Sequence, residues 1–599
     1  MCGIFGIIGE YDSKTAKNAL AKLTHRGEDF CGVLESNNLF FAHQRLSILD
    51  THHRSHQPIK YKDILLSFNG EIYNFRELKK ELDFEFKTDS DSEVIIVSYL
   101  KWGVDFVHHL RGMFAIALID NDTLYLFRDR LGKKPLFFMN DSSFRFASEI
   151  KALTPFLKKH QLNNDALLSY LSFLAPTPPH TFFKGISKLG AGEFLTFKNG
   201  TVEVKRYFDI LDSTPNIITD RDEAIYSLEK LLDESISMRL NSDVPMASLL
   251  SGGIDSATIN GYALKHGIKP NTYTLGYKEF SKYDERVNAK ESADFLGISN
   301  TEVEIDQDDF IGAMDDVFDA LDEPLNDPAS IPLYLLFKQI KQDGYKVVLS
   351  GEGSDELFLG YRQYFEYLDI ESASNLAHKN WLKKYFRSNF SMNREWEWYK
   401  RIFDDTLLFR TSGDKFTDLQ KNNLMRRNIK DNESLKYLQP YIDRFESSAH
   451  SDPSIWYSYI DLNIFQGEHF LTKLDRVSMA HGIESRTPFL DHKLVSKIFS
   501  IDPKLRYEDG ITKSLLKEIV KPMLNTKILT RKKKGFSNPY MEYLVDSKKI
   551  NLIKEVNNQT GMFKKDELDE YIKTASKGSF KQHVWGLYVL SHWLRKWML

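Results

Sequence analysis

Short apolar and aromatic runs, each broken by turn residues, fill the chain from Met1 to about Phe208. Met113 to Ile119 is apolar without interruption and predicts a buried strand. Tyr125-Leu126-Phe127, Pro135-Leu136-Phe137-Phe138 and Phe144-Arg145-Phe146 are separated by Leu131-Gly132-Lys133-Lys134 and by Asn140-Asp141, a pattern that predicts consecutive hairpins. Helical spacing predicts helices over Ser13 to Leu23, Phe75 to Leu82 and Ser92 to Trp102. The expectation for this half is β-rich layers packed with helices.

The texture turns polar over Asp209 to Asp222, with Ser213-Thr214-Pro215-Asn216 in its middle, and this reads as a linker between domains. Beyond it, Val244 to Leu250 reads as a strand, Asp255 to His266 as a helix stopped by Gly267, and Thr272 to Gly276 as a second strand. That βαβ order implies a parallel sheet. A further unit pairs a helix over Ile331 to Lys341 with an extended run over Lys346 to Leu349. From about Glu366 the pattern is mostly helical and aromatic, through Trp396, Trp398, Phe403 and Trp456 to the segment Trp585 to Trp597.

At 599 residues the chain implies two to four domains. Its 80 Lys and Arg against 84 Asp and Glu give no global pull toward nucleic acid or membrane. Two cysteines, Cys2 and Cys31, leave no disulfide framework and suit a reducing compartment, so a cytoplasmic location is expected. No run is apolar enough to span a bilayer, and the first residues lack the pattern of a signal peptide.

Cys2 precedes Gly3-Ile4-Phe5-Gly6-Ile7-Ile8-Gly9, and removal of Met1 would make it the first residue. Its thiol and α-amine would then share one carbon skeleton, with reference pKa values near 8 that let the amine take the thiol proton. The alternative is a small buried hydrophobe, the usual fate of a free cysteine.

In the second half, Leu249-Leu250-Ser251-Gly252-Gly253-Ile254-Asp255-Ser256 lies between strand and helix. Glycines there let backbone N–H groups close around phosphate oxygens at a helix N-terminus, and Asp255 suits a magnesium ion beside them. It lacks the spacing and lysine of a Walker A loop. The plainer reading is a turn capped by Asp255 or Ser256. A second loop, Leu349-Ser350-Gly351-Glu352-Gly353-Ser354-Asp355-Glu356, would meet the first at the carboxyl edge of the sheet, or Ser354 simply caps a helix. Arg531-Lys532-Lys533-Lys534-Gly535-Phe536 read alone is a solvated basic face, and Asp475-Arg476 and Glu484-Ser485-Arg486 read alone are ion pairs on a helix surface.

Taken together in this order, these residues resemble the glutamine-dependent asparagine synthetases over essentially the whole chain. The resemblance implies a class II glutaminase domain over 2–208, an N-terminal-nucleophile hydrolase with layered αββα architecture. It also implies an α/β ATP-pyrophosphatase domain over 222–599, with a parallel sheet and helical additions. By the same resemblance Cys2 is the nucleophile, Asn69 and the Gly70 N–H in Asn69-Gly70-Glu71-Ile72-Tyr73-Asn74 form the oxyanion hole, and Arg45, Asn69, Glu71 and Asp91 bind glutamine. A lone Asn-Gly would be a turn, and Asp91 could also cap the helix after it. On the synthetase side Leu249, Ser251, Gly252, Gly253, Asp255, Ser256, Leu275, Ser350 and Gly351 match the ATP site. Asp255 and Asp355 match magnesium ligands, Glu352 a general base, and Lys533 the lysine that stabilises charge. The implied substrates are glutamine, ATP and aspartate, with Mg2+, no nucleic acid, no membrane, and a homodimer. The rival expectation is a relative that amidates another carboxylate, such as a uronic acid, with the difference lying between Glu366 and Ser451. Two departures from the family are His25-Arg26-Gly27-Glu28-Asp29 and Leu189-Gly190-Ala191-Gly192, where Glu28 and Ala191 stand in place of prolines. Arg26, Met113 and Phe146-Ala147-Ser148-Glu149 are expected near the domain junction.

Overall fold

The computed structural model describes residues 2–599 apart from 213–216, 372–378, 389–393, 404–405, 426–432, 508, 534 and 536. Ser213-Thr214-Pro215-Asn216 of the linker, Lys534 and Phe536 of the basic run, and parts of the stretch from Glu366 to Ser451 therefore lie outside the described residues.

Two six-stranded sheets form the first half. The first contains β1 (Gly3–Ile8), β2 (Phe30–Ser36), β3 (Leu39–Arg45), β8 (Phe137–Asn140), β9 (Phe144–Ala147) and β10 (Ser187–Lys188), in the order β10-β8-β9-β1-β3-β2. The second contains β4 (Ile59–Tyr61), β5 (Ile64–Ile72), β6 (Gly112–Asp120), β7 (Thr123–Arg128), β11 (Glu193–Lys198) and β12 (Thr201–Arg206), in the order β12-β11-β7-β6-β5-β4. Their inner faces share one apolar layer in which Ile4, Phe41 and Phe146 meet Ala115, Ala117, Leu126 and Leu195. Strand β6 shows why its sequence has no polar positions. Alternate residues Phe114, Ile116 and Leu118 face the helix Ser92–Trp102, while Ala115 and Ala117 face the other sheet. Helices Ser13–Ala21 and Asn164–Phe173 cover the outer face of the first sheet, with Ala16, Ala19, Leu167 and Leu171 packed among Phe5, Ile7 and Phe40. The layering is αββα.

Only one of the expected hairpins forms as written. β8 and β9 pair with each other, but β7 pairs with β6 and β11 in the opposite sheet. The Leu131-Gly132-Lys133-Lys134 segment carries the chain from one sheet to the other. Asp129 stabilises that crossing, since its carboxylate accepts from the N–H groups of Phe114, Leu131, Lys133 and Lys134.

The second half is built on a parallel sheet of β13 (Met246–Leu249), β14 (Asn271–Tyr277), β15 (Asn300–Ile305), β16 (Val347–Leu349) and β17 (Glu484–Arg486), ordered β15-β14-β13-β16-β17. Helix Ser330–Gln342 packs on one face against Tyr273, Leu275 and Val348. Helices Arg221–Arg239 and Ile254–Lys265 pack on the other, against Leu349. The sequence order departs in opposite directions from β13, so the loops after β13 and β16 flank a topological switch point, where open sheets bind ligands. The apolar core is continuous between the halves, with Phe5, Tyr170 and Phe182 in one cluster with Tyr273, Trp585 and Trp593. Among the described residues no helix is long and apolar enough to cross a membrane.

Candidate active sites

Cys2 sits at the start of β1, buried at 7% exposure, where the ends of the two sheets of the first half converge. Its backbone nitrogen lies 2.9 Å from Asn69 Oδ1 on β5, and its thiol points to the Leu46 carbonyl at 4.0 Å. Burial pushes the thiol pKa up, so ionisation calls for a base beside it. Asn69 is fully buried, and its Nδ2 has no hydrogen-bond partner within the protein. An orphaned donor in such a place is costly unless something accepts from it. The next residue can only be glycine, because a Cβ at Gly70 would stand 2.1 Å from the Met113 carbonyl oxygen.

One cavity brings together Cys2, Arg45, Gly70, Glu71 and Asp91. Arg45, at the end of β3, is anchored by the carbonyls of Asp50 at 2.6 Å and His52 at 3.0 Å. Asp91 does not cap the helix that follows it. Its Oδ2 instead accepts from the Ile72 N–H at 2.8 Å, and burial raises its pKa to about 6. Burial likewise drives Glu71 well above the usual carboxylate range, opposed chiefly by Arg486, whose Nη2 lies 3.3 Å from Glu71 Oε2. Glu484, from the second half of the chain, completes the wall of this cavity.

At the switch point, the loop after β13 curls on itself, with the Ser251 N–H donating to Ser256 Oγ at 3.2 Å. Gly252 has φ +75°, and a Cβ there would stand 2.5 Å from the Asn288 backbone. The helix is capped by Gly253 without a side-chain bond, so neither Asp255 nor Ser256 caps it. Ser354 is no cap either: its hydroxyl donates to Asp255 Oδ1 at 2.6 Å. Leu249 and Leu275 come from neighbouring strands β13 and β14, Ser350 and Gly351 follow β16, and a Cβ on Gly351 would press on Asp255 at 3.1 Å.

Asp255 and Asp355 converge on one point. The Lys513 ammonium occupies it, 2.6 Å from Asp255 Oδ1 and 2.7 Å from Asp355 Oδ1, while Lys533 reaches Asp355 Oδ1 at 2.6 Å. Burial works to raise the Asp355 pKa, but the two lysines hold it down to about 2. Two carboxylates aimed at one cation position suit a divalent ion that takes its remaining ligands from phosphate and water. Glu352 is half-buried beside them, with its pKa raised by burial against the pull of Lys473. Lys473 itself is paired with Asp327 at 2.8 Å.

Three motifs fold differently from what each suggests in isolation. The basic run is not simply a solvated face, because Arg531 binds the Gly252 carbonyl and Ser292 while Lys533 lies over the Tyr361 ring at 3.7 Å. Asp475 and Arg476 are not surface ion pairs but are buried at the junction of the halves. Glu484 and Arg486 lie fully buried on β17, not on a helix. Lys513 gave no sequence signal at all, since Ile511-Thr512-Lys513-Ser514 belongs to no motif noted above.

An apolar cluster joins Leu46, Ile48, Tyr73 and Met113 from the first half with Val347 and Met479 from the second. Leu46 and Ile48 also line the Cys2 cavity, and Val347 opens the strand that leads to Ser350.

Comparison with known proteins matches each half of the chain to a family of its own. A family model described as a glutamine amidotransferase domain matches residues 1–208, and one described as asparagine synthase matches residues 227–595. The chain belongs to the asparagine synthase family, joined to a glutamine amidotransferase domain. It is 31% identical to "Asparagine synthetase [glutamine-hydrolyzing] 1" of Bacillus subtilis, over 99% of this chain and 96% of that protein. It is 30% identical to a putative asparagine synthetase [glutamine-hydrolyzing] of Mycobacterium bovis, over 91% and 88% of the two chains. "Amidase chry2" of Gibberella zeae is 28% identical over 87% of this chain and 84% of that protein.

Proposed function

We propose that this protein is a glutamine-dependent asparagine synthetase in which Cys2 releases ammonia from glutamine and a second site transfers it to adenylylated aspartate. The observation that carries the reading is the apolar cluster that joins the Cys2 cavity to the strand entering the Ser350 loop. Nitrogen must pass between the sites as neutral ammonia, and a dry interior keeps it unprotonated.

With Met1 removed, the Cys2 nitrogen becomes an amine held by Asn69 and takes the thiol proton. The thiolate attacks the carboxamide carbon, and the oxyanion accepts from Asn69 Nδ2 and the Gly70 N–H. The adduct collapses with cleavage of its C–N bond, the nitrogen leaves as ammonia by taking the proton held on the Cys2 amine, and water hydrolyses the resulting thioester to glutamate and the free thiol. Arg45 binds the α-carboxylate, while Asp91 and Glu71 bind the α-amine. In the second site the loops at Ser251 and Ser350 hold ATP, and the aspartate side chain attacks the α-phosphate with departure of pyrophosphate. Asp255 and Asp355 would hold Mg2+ in place of the Lys513 ammonium, and the ion would supply charge neutralisation of the phosphates. Lys533 offsets developing negative charge, and Glu352 takes a proton from the attacking nitrogen, leaving asparagine and AMP. Its two free cysteines suit a reducing cytoplasm.

The similarity to a protein named as an amidase favours a second reading, amidation of a different carboxylate such as a uronic acid by the same two steps. The test supplies glutamine, magnesium-ATP and either aspartate or a uronic acid, and follows pyrophosphate and the amide. Aspartate-dependent asparagine formation is expected, and turnover with the sugar acid alone would replace the first reading by the second. In Cys2→Ala, glutamine-supported synthesis should vanish while ammonia-supported synthesis survives. Loss of both in a folded variant would refute the division of labour.

A further inference from the structure

The glutamine cavity is walled in part by the second half of the chain, and one strand makes that connection. β17 is only three residues long and fully buried. Its first residue, Glu484, lines the cavity with Cys2. Its last residue, Arg486, spends each part of its guanidinium on a different partner. Nη1 donates to the Arg239 and Asn241 carbonyls at 2.9 and 2.6 Å, Nε to Glu484 Oε1 at 2.7 Å, and Nη2 approaches Glu71 at 3.3 Å. The same residue's carbonyl accepts from the Ser350 N–H at 2.9 Å, at the entrance of the loop that carries Gly351, Glu352 and Asp355. Leu349 and Arg486 are also register partners in the sheet.

We infer that Arg486 is a positioning residue shared by both sites, which couples glutamine affinity to occupancy of the nucleotide loop. This rests on the proposed function and adds a regulation to it. The backbone and side chain of a residue locked at both ends have little freedom to move separately. A nucleotide that orders the Ser350 loop fixes the strand carbonyl, and through it the guanidinium that orients Glu71. Glutamine then meets a pocket whose ordering cost has already been met, and its affinity rises. Linkage requires glutamine to tighten nucleotide binding by the same factor. Lysine cannot replace Arg486, because a single ammonium lacks the planar fork that reaches four groups at once.

The experiment uses full-length Cys2→Ala protein, in which glutamine persists, and titrates glutamine calorimetrically with and without magnesium-ATP in the absence of any carboxylate acceptor. Nucleotide is expected to lower the glutamine Kd by about fivefold or more, the lower end of ordinary coupling. In the added presence of Arg486→Lys the two Kd values should become equal. Equal values in the Cys2→Ala parent, or the same ratio retained in the Arg486→Lys protein, would overturn the inference. If circular dichroism shows that Arg486→Lys does not fold, Arg486→Gln takes its place and must likewise abolish the ratio. A parent that binds neither ligand overturns the proposed function and this inference with it, whereas binding of both without coupling overturns only the latter.

Discussion

Arg26 and Asp475, 449 residues apart, form a two-armed buried ion pair at 2.9 and 3.2 Å, and the same guanidinium donates to the Cys2 carbonyl at 3.0 Å. Its remaining acidic partner is Glu149, at 2.7 Å, which in turn meets Arg476 at 3.0 Å. The backbone of Cys2, the proposed nucleophile, is thus held by a charge network that belongs to both halves. Replacing Asp475 by leucine leaves Arg26 buried with one carboxylate in place of two. A loss of about 3 kcal/mol is expected, the lower end for breaking a buried pair. Urea unfolding monitored by tryptophan fluorescence should show an earlier midpoint, and an unchanged midpoint would show the network to be redundant. The double variant Arg26→Met with Asp475→Leu should recover part of the loss.

Asn69→Ala removes the unpartnered amide beside Cys2. Glutamine hydrolysis should fall by about 10²–10³ in kcat, the ordinary cost of losing one oxyanion donor. The KM for glutamine should change far less, and ammonia-supported synthesis should be retained. A rise in KM with kcat unchanged would assign Asn69 to ground-state binding instead.

Glutamine binding should depend on pH through Asp91. Its pKa is raised to about 6 by burial, so the ligand-free pocket holds it ionised above that value and protonated below it. A cationic α-amine needs the ionised form, so the glutamine KM should climb about tenfold per unit as pH falls below 6. Asp91→Asn should bind weakly at every pH and lose that dependence. A parental KM that stays flat from pH 7 to 5 would count against the assignment.

Lys513 holds together the two carboxylates proposed to bind magnesium. With magnesium at their common point the Lys513 ammonium is displaced toward the departing pyrophosphate, so Lys513→Met should lower pyrophosphate formation at least about a hundredfold, or about 2.7 kcal/mol of transition-state stabilisation. Glutamine hydrolysis, measured as glutamate release, should remain within a few-fold of the parent. Equal loss of both activities would mean that Lys513 acts on the fold rather than on the site.

Much of this was legible from local pattern. β6 and the helix Ser92–Trp102 follow directly from where apolar residues fall, and the Ser251–Ser256 loop declares itself by glycines between a strand and a helix. The crossing after β7 was not legible, because a turn in sequence says nothing about which sheet receives the next strand. Charged residues such as Asp475, Glu484 and Arg486 resemble surface residues when read one segment at a time. Their partners lie hundreds of positions away, so only folding reveals that they are buried and neutralised. Lys513 is the extreme case: it is one lysine in an ordinary segment, placed by tertiary structure between two aspartates.

The presence of Glu484 in the wall of the Cys2 cavity bears on modular engineering. A glutaminase head excised after Phe208, or grafted onto a foreign ligase, would leave that wall behind and open its pocket to solvent. Chimaeras that exchange heads should therefore recover tight glutamine use only when the short Glu484–Arg486 segment travels with them.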